Sequence, residues 1–392
     1  MNTDVRLGRV AGIEIGFNWS FLLIFALIAW TLAESVLPAQ VPGQPVPLYW
    51  FVGGCVAVVF FACLLGHELA HAILARRLGE KIEGITLWLF GGVSKISGEP
   101  RSAGVEAAIA GVGPLASFVI AIVMVGLAIG LSAAGLPDLL TAGLYWLAVI
   151  NVALGVFNLL PGFPLDGGRL LRAALWRWSG NRVTATSRAA TAGRVMGLVL
   201  IALGVLEFVL GRDLVNGLWF VFLGWFLRGA ASAEERQVVA TDVLAGLRVR
   251  DVMTPAPVTL PASMTVQQFL WSDAFPHRFT TFPLTGDDGD VVGVVSLRQV
   301  LGVPEEHRAQ TTLGTLAAGG AGVVKVAPDD PAVEVARRMA DSPSGRVLVF
   351  EQEQLVGIVS PRDLAQALQV LTARVGGRRP AAPAAPAEQP GR

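Results

Sequence analysis

Residues 64–71, Leu64-Leu65-Gly66-His67-Glu68-Leu69-Ala70-His71, place two imidazoles and a carboxylate inside an apolar segment. On a helix, residues four apart lie on one face, so His67 and His71 are close enough to bind one metal ion. Glu68 lies about 100° further round, where it can hold a water on the metal without binding the metal itself. Imidazole is the common zinc ligand, and a zinc-bound water has a pKa near ~7. The motif therefore predicts one zinc ion per chain, with Glu68 beside a zinc-bound water.

The motif lies in an apolar run, residues 48–74, that is long enough to span a bilayer, which needs ~20 such residues. Of the 392 residues, 53% are hydrophobic and 15% are charged, whereas soluble domains carry about 25% charged residues. Ionisable groups are costly at membrane depth and by default indicate a site. The alternative, three polar side chains reaching from a helix end towards the interface, does not explain why they form a ligand set. A formal net charge of zero gives no sign of a nucleic-acid partner.

Hydropathy predicts about six transmembrane helices, at residues 17–36, 48–74, 107–131, 139–160, 190–210 and 214–227. The loops 37–47 and 132–137 contain no Lys or Arg, whereas the loops on the opposite side are rich in both. Positive charge marks the cytoplasmic side of a membrane protein. We therefore expect a multi-pass protein of the cell (inner) membrane, with both termini cytoplasmic and His67 to His71 in the cytoplasmic third of the bilayer.

A third zinc ligand is predicted at the cytoplasmic end of the fourth span, in residues 158–169. Two prolines and three glycines interrupt the helix there, and non-helical backbone at membrane depth is tolerated where it lines a cavity. Asp166 has the depth and sidedness of the two histidines, and its carboxylate would complete a His₂-carboxylate set with water in the fourth position. As an alternative, Asp166 could simply cap the helix that begins at Gly167.

Residues 83–96, between the second and third spans, alternate in polarity around Gly91-Gly92 and predict a β-hairpin. The hairpin is too apolar for a free cytoplasmic loop, so we expect it to lie against the site. An exposed strand edge could pair with an unwound substrate segment. The alternative is a packed hairpin without that role.

The pairing of His67-Glu68-Leu69-Ala70-His71 with the stretch from Asn158 to Asp166-Gly167 resembles the site-2 protease family of intramembrane zinc metalloproteases, peptidase family M50. Phe90-Gly91-Gly92 and the third-span pattern at residues 110–115 are similar to that family as well. The resemblance implies hydrolysis of a peptide bond in or near a substrate's transmembrane helix. It implies His67, His71 and Asp166 as zinc ligands, Glu68 as general base, and Asn158 as a group that orients the substrate or the oxyanion. Where many members carry Asn soon after Gly-Pro, this chain has Ser117.

A soluble α/β region follows the spans, and it contains an internal repeat. Residues 293–300 match residues 357–364 at a spacing of 64, and each copy has a strand pair followed by a helix. With Val252-Met253-Thr254-Pro255 at its start, the region resembles a tandem cystathionine β-synthase (CBS) domain pair. Such pairs imply an adenine nucleotide in the cleft between the copies, with Asp363 at the ribose-binding position and Gln299 in its place in the first copy. A purely structural or dimerising module is the alternative.

Four segments are therefore predicted: a six-span intramembrane metalloprotease domain (1–230), a linker (231–248), a cytoplasmic CBS pair (249–371) and a disordered Pro/Ala-rich tail (372–392). The predicted function is regulated intramembrane proteolysis by a metalloendopeptidase that the CBS pair modulates. Its partners would be a membrane-anchored protein, often a regulator, as substrate, and a second copy bound through the CBS pair. The alternatives are a CBS-regulated transporter or channel that uses the His/Asp cluster as an ion site, and a catalytically inactive membrane scaffold.

Overall fold

The computed structural model describes residues 4–88, 91–97, 100–211, 214–272, 279–319, 323–342 and 344–376. It divides into two compact units, Met1–Arg236 and Gln237–Arg392. The predicted tail, 372–392, lies outside the described residues from residue 377 onwards, and so does the Phe90 part of the Phe90-Gly91-Gly92 pattern. Residues 372–376, which were predicted to be disordered, are instead the end of a helix, Pro361–Gly376.

The first unit consists of long helices and one four-stranded sheet. Its helices are α1 (Ser20–Thr31), α2 (Leu37–Gln40), α3 (Val46–Arg77), α4 (Ala103–Ala133), α5 (Asp138–Asn158), α6 (Asp166–Ser179), α7 (Arg182–Val209) and α8 (Leu214–Ala245). A π-helical turn, Leu32–Val36, joins α1 to α2. The strands are β1 (Val5–Val10), β2 (Ile13–Phe17), β3 (Lys81–Trp88) and β4 (Gly91–Ser97).

Among the described residues, six helices are long and apolar enough to cross a membrane. They are Ser20–Gln40, Val46–Arg77, Ala103–Ala133, Asp138–Asn158, Arg182–Val209 and Leu214–Ala245. Large apolar side chains are exposed along them, for example Ile122 and Val149, as expected where lipid rather than water covers the surface. The prediction of a polytopic helical fold is confirmed.

The last two spans are longer than their apolar stretches. The prediction began the fifth span at residue 190 and ended the sixth at 227, whereas α7 begins at Arg182 and α8 continues to Ala245. Hydropathy detects only the lipid-facing part of a helix, while the backbone hydrogen bonds of the helix continue into polar sequence. Much of the predicted linker, up to residue 245, is therefore the end of α8.

The sheet of the first unit has the strand order β1-β2-β3-β4, so β1 and β4 are its edge strands in the described part. The strands β3 and β4 pair antiparallel, which confirms the predicted hairpin. Parallel pairing of β2 with β3 brings the N-terminal hairpin into the same sheet. Buried Ile13, Ile85 and Leu87 pack this sheet on Ala72, one residue after His71 in α3. The sheet therefore lies against the helix that carries the His-Glu-x-x-His motif.

The second unit contains the repeat. Its helices are α9 (Val249–Val252), α10 (Val266–Leu270), α11 (Leu297–Leu301), α12 (Leu313–Leu316), α13 (Ala332–Asp341) and α14 (Pro361–Gly376). Its strands are β5 (Thr254–Pro255), β6 (Leu260–Pro261), β7 (Thr281–Thr285), β8 (Val291–Ser296), β9 (Ala318–Gly319), β10 (Val324–Val326), β11 (Val347–Glu351) and β12 (Gln354–Val359).

Each copy of the repeat forms its own sheet, in the order β6-β7-β8-β9 in the first copy and β10-β11-β12-β5 in the second. The matched strands β8 and β12 are each followed by a helix, α11 and α14, as the repeat predicted. Each copy also has its own apolar core, with Phe269 and Phe282 buried in the first and Val335 and Val347 in the second. The α/β architecture of this region is confirmed.

Candidate metal centre

The side chains of His67, His71 and Asp166 converge in the interior of the first unit. The Nε2 atoms of the two histidines are 3.2 Å apart, and Oδ2 of Asp166 lies 3.4 Å from His67 Nε2 and 3.2 Å from His71 Nε2. All three residues are buried. They form a group of potential metal ligands, one atom from each residue.

The spacing of these three atoms fits a tetrahedral zinc ion. Bonds of about 2.0–2.1 Å to nitrogen and oxygen place the ligand atoms of a tetrahedral site about 3.3 Å apart. The observed distances of 3.2–3.4 Å agree with that value. Two imidazoles and one carboxylate are also the donor set of a catalytic zinc site, in which a fourth position stays open.

The tautomer of His71 is determined by the backbone of α4. Nδ1 of His71 lies 2.6 Å from the carbonyl oxygen of Ile109, and a carbonyl oxygen can only accept a hydrogen bond. The proton of the neutral ring is therefore on Nδ1, which leaves the lone pair of Nε2 directed at the cluster. A hydrogen bond from the second ring nitrogen is the usual way in which a protein orients a metal-binding histidine.

Ser117 has the same role at His67, since its hydroxyl oxygen lies 2.9 Å from Nδ1 of that ring. Ser117 is fully buried. The sequence singled it out only as a departure from the commoner Asn, and the structure shows its contact. The carbonyl of Ile109 carries no side-chain signal, so no sequence pattern could have indicated it.

Gly113 explains how α4 comes so close to the imidazoles. A β-carbon at this position would lie 2.1 Å from Nε2 of His71 and 2.8 Å from Nε2 of His67, well inside contact distance. Because Gly113 lies one turn from Ile109 and one turn from Ser117, the three positions form one face of α4. That face covers the cluster.

Asp166 is the first residue of α6 and follows a break in the helical backbone. The helix α5 ends at Asn158, the loop 159–165 contains a cis peptide bond between Phe163 and Pro164, and α6 begins at Asp166. Leu165 is the N-cap residue, without a side-chain cap, so the capping alternative for Asp166 is not what the structure shows. The carboxylate is directed at the histidines instead, while the positive end of the helix dipole favours its charge.

Gly167 and Gly168 allow the start of α6 to pack on this loop. A β-carbon at Gly167 would lie 2.3 Å from the carbonyl oxygen of Leu159, and one at Gly168 would lie 2.3 Å from the carbonyl carbon of Gly162. The two glycines after Asp166 are therefore a packing requirement of the turn that carries the carboxylate.

Glu68 is half-buried and lies against strand β4. A β-carbon added to Gly92 would come 2.3 Å from Cγ and 3.1 Å from Oε1 of Glu68. The strand can pass this close only because the residue is glycine. The side chain of Glu68, the candidate general base, therefore lies between α3, which carries it, and strand β4.

The remaining two predicted residues lie in other surroundings. Asn158 is half-buried at the end of α5, and its amide nitrogen donates to the carbonyl oxygen of Leu154, 3.0 Å away in its own helix. Asp363, in the second unit, accepts hydrogen bonds from the amide and hydroxyl of Ser360 and, on Oδ1, from the hydroxyl of Thr254. The structure thus brings together the side chains of His67, His71 and Asp166. Glu68 lies in the same helix, α3, as the two histidines.

A buried His-His-Asp group among helices long and apolar enough to span a membrane defines a candidate membrane-embedded metal site. The comparisons with known proteins agree with this class. The family description "Peptidase family M50" matches residues 55–144 and 132–203, and "CBS domain" matches residues 249–306 and 321–370. Rip3 of Mycobacterium tuberculosis is 43% identical over 371 residues, which cover 94% of each chain.

The zinc metalloprotease MJ0392 of Methanocaldococcus jannaschii is 31% identical over 373 residues, which cover 95% of this chain and 98% of that protein. Among solved structures, the site-2 protease from the same organism is 29% identical, with a TM-score of 0.41, and the match covers 59% of this chain and 94% of that one.

The chain belongs to peptidase family M50. It is a multi-pass membrane metalloprotease joined to a CBS domain pair, which confirms the predicted class and architecture. The transporter alternative receives no support, because the family that matches the membrane helices is a peptidase family.

Proposed function

We propose that the chain binds one zinc ion through His67, His71 and Asp166 and hydrolyses peptide bonds in or next to the transmembrane helices of membrane-anchored proteins. The observation that carries the proposal is the buried triangle of ligand atoms, 3.2–3.4 Å on each side. In this assignment, residues 1–230 form the protease and residues 249–371 a regulatory module.

Zinc bound at this site would supply Lewis-acid activation of water and of the scissile carbonyl. The chain supplies the rest of the chemistry. The side-chain carboxylate of Glu68 accepts the proton of the attacking water and then donates it to the departing amine. Burial of the cluster among α3, α4 and α6 keeps bulk water from competing with that transfer.

The edge of β4 is the proposed binding site for the substrate backbone. A transmembrane helix hides its carbonyl groups in hydrogen bonds, so a substrate must unwind before attack, and the released backbone groups then need partners. An edge strand offers such partners through strand addition. Because Gly92 of β4 lies against Glu68, a segment paired with this edge would pass beside the general base.

Asn158 is proposed to orient the substrate or the oxyanion. One N–H of its amide bonds to Leu154. A carboxamide has a second N–H and a carbonyl oxygen, which are the groups that would act on a substrate. The residue is the last of α5, seven positions before the N-cap of α6, so it begins the loop that leads to Asp166.

The orientation of the chain is proposed from its charges. Lys and Arg cluster on the side that carries both termini, which places the termini and the CBS pair in the cytoplasm. Reporter fusions at residue 392 and in the loop 132–137 test this. If a reporter that is active only in the cytoplasm works when fused at residue 392 and not in the loop 132–137, the orientation is supported. The reverse pattern contradicts it.

A cavity in the second unit is the proposed site of an adenine nucleotide. It has a volume of about 810 Å³ and is lined by Thr280, Ser296, Arg298, Ser344 and Arg346, among others. Two guanidinium groups and three hydroxyls suit a phosphate chain. Burial lowers the pKa of Arg346, and the charge of Asp363 opposes that effect.

Asp363 is not among the residues that line this cavity, but its charge acts on Arg346, which does line it, and we propose that Asp363 binds the ribose. Oδ1 accepts the hydroxyl of Thr254, and a carboxylate oxygen has a second lone pair for a ribose hydroxyl. We also propose that two copies associate through the CBS pair. Light scattering on the purified chain, with and without nucleotide, would give the oligomeric state.

Zinc content and cleavage of a defined transmembrane substrate test the main proposal, for wild type and Glu68→Gln side by side. We expect zinc in both proteins and cleavage that is slower by about 10²–10⁴ in the variant. Absence of zinc from both proteins, or equal cleavage by both, would overturn the proposal.

A further inference from the structure

A buried ion pair lies beside the metal centre, between α4 and α6. Arg172 of α6 is 3% exposed, and Glu106 of α4 is 0% exposed. Nε of Arg172 donates to Oε1 of Glu106 at 2.6 Å, and Nη2 contacts the same oxygen. The desolvation of two charges at such depth offsets much of their attraction, so a pair of this kind is weak evidence for a purely stabilising role.

The pair joins α6 to the face of α4 that orients His71. Glu106 precedes Ile109 by three residues, and positions three apart are neighbours on a helix. The carbonyl of Ile109 accepts the Nδ1 hydrogen bond of His71 at 2.6 Å. One turn of α4 therefore contacts His71 through its backbone and Arg172 through its carboxylate.

On its other side, Arg172 contacts the loop that leads to Asp166. The guanidinium carbon is 4.9 Å from the centre of the Phe163 ring, within the range of a cation–π interaction. Nη1 lies 3.6 Å from Oε1 of Glu234 in α8. Arg172 itself is six residues after Asp166 in α6, so its contacts determine where the first turn of α6 lies relative to α4.

The second carboxylate oxygen of Glu106 has no hydrogen-bond partner within the described part of the chain, although it is buried. Leaving a buried acceptor unpaired costs free energy, so stabilisation of the fold alone does not account for the geometry of this ion pair. Both contacts of the guanidinium with Glu106 are made to the single oxygen Oε1.

We infer that Arg172 is a positioning residue for the protease: by holding α6 against α4 it sets the distance between Asp166 and His71, and with it the affinity of the site for zinc. The inference rests on the proposed function. A merely structural Arg172 would affect the stability of the fold and leave the affinity of the folded protein for the metal unchanged.

The test uses the full-length chain in detergent, as wild type, Arg172→Gln, Arg172→Lys and Arg194→Gln. Arg194 pairs with Glu235 between α7 and α8 and is the matched control for loss of an Arg–Glu pair. The readouts are zinc affinity by chelator competition, the absorption spectrum of the Co²⁺ form, thermal unfolding, and kcat and KM on a defined transmembrane substrate.

We expect Arg172→Gln to weaken zinc binding by about tenfold, as loss of outer-shell support does at other metal sites, and to change the Co²⁺ spectrum. We expect kcat to fall more than KM rises. Arg172→Lys keeps the charge but not the planar fork, so its loss of affinity should be smaller. Arg194→Gln should match the wild type in zinc affinity.

Wild-type zinc affinity and spectrum in both Arg172 variants would overturn the inference and leave the proposed function intact. If Arg172→Gln does not fold, the lysine variant decides: one ammonium group cannot make both guanidinium contacts to Glu106, so the inference requires a loss of zinc affinity there and wild-type affinity overturns it. A wild type that binds no zinc would overturn the proposed function and the inference together.

Discussion

Gly113 lies so close to His71 that a β-carbon on the glycine would be 2.1 Å from Nε2 of the imidazole. At Gly113 the helix α4 thus forms one wall of the candidate metal centre with its backbone. That wall also supplies the carbonyl of Ile109 and the hydroxyl of Ser117 to the two histidines.

Gly113→Ala should weaken metal binding while leaving the helix intact, because alanine is a better helix former than glycine. The added methyl displaces both imidazoles, so we expect zinc affinity to fall about tenfold or more. The matched control is Gly111→Ala, whose β-carbon would meet Leu170 at an ordinary 3.9 Å. Equal zinc content in the two variants would contradict the geometry of this wall.

Ser117→Ala removes the hydrogen bond to Nδ1 of His67. Loss of an outer-shell partner costs about 10–100-fold in metal affinity, and we expect a change in that range, measured by competition with a chelator. Ser132→Ala, at the exposed far end of α4, is the control. The idea that Ser117 orients His67 fails if the two variants bind zinc equally well.

Asp166→Asn should lose zinc even though the amide has the size of the carboxylate. The matched control is Asp138→Asn, because Asp138 is also the first residue of its helix, α5, and is exposed. Both changes remove a charge from a helix N-terminus, which is worth about 0.3–1 kcal/mol. Metal analysis should separate the two variants, because only Asp166 lies within 3.4 Å of both imidazoles. Similar zinc content in the two variants would argue against a ligand role.

Gly92→Ala should impair cleavage without removing zinc. The new methyl group would collide with Cγ of Glu68, 2.3 Å away, and move the carboxylate that the proposal makes the general base. We expect kcat to fall by up to about 10²-fold, at the lower end of the effect of losing a general base. Gly126→Ala, with open space around its β-carbon, is the control. Loss of zinc along with activity would point to collapse of the site instead.

Arg346→Gln should weaken nucleotide binding to the second unit. A charged hydrogen bond contributes about 1.5–3 kcal/mol, which corresponds to about 10–100-fold in affinity. Calorimetry with ATP, ADP and AMP on the full chain measures the change. Arg337→Gln, which alters an exposed arginine of α13, serves as control. If wild type binds none of the three nucleotides, the cavity is not an adenine nucleotide site.

Much of the architecture could be predicted from the sequence, because the relevant signals are local. The number of spans follows from the length of the apolar runs, and the hairpin β3–β4 follows from alternation around two glycines. The pairing of His67 with His71 follows from a spacing of four in a helix. The copies of the CBS repeat were evident from matched stretches 64 residues apart. Each signal depends on residues that are near one another in the chain.

Helix ends were less predictable. The helix α8 continues to Ala245, well past the apolar stretch that ends at residue 227. Hydropathy measures where lipid can cover a helix, whereas the helix itself ends where its backbone hydrogen bonds end.

The contacts that surround the cluster were decided by tertiary structure alone. No pattern in the sequence links Ile109 to His71, Gly92 to Glu68, or Glu106 to Arg172, since the members of these pairs are 24 to 66 residues apart. The sequence by itself determined which residue types could bind a metal and which helix carries two of them. Only the packing of α4, α6 and β4 around α3 decided which atoms face the imidazoles, because helix packing depends on the shapes of whole surfaces and not on local spacing.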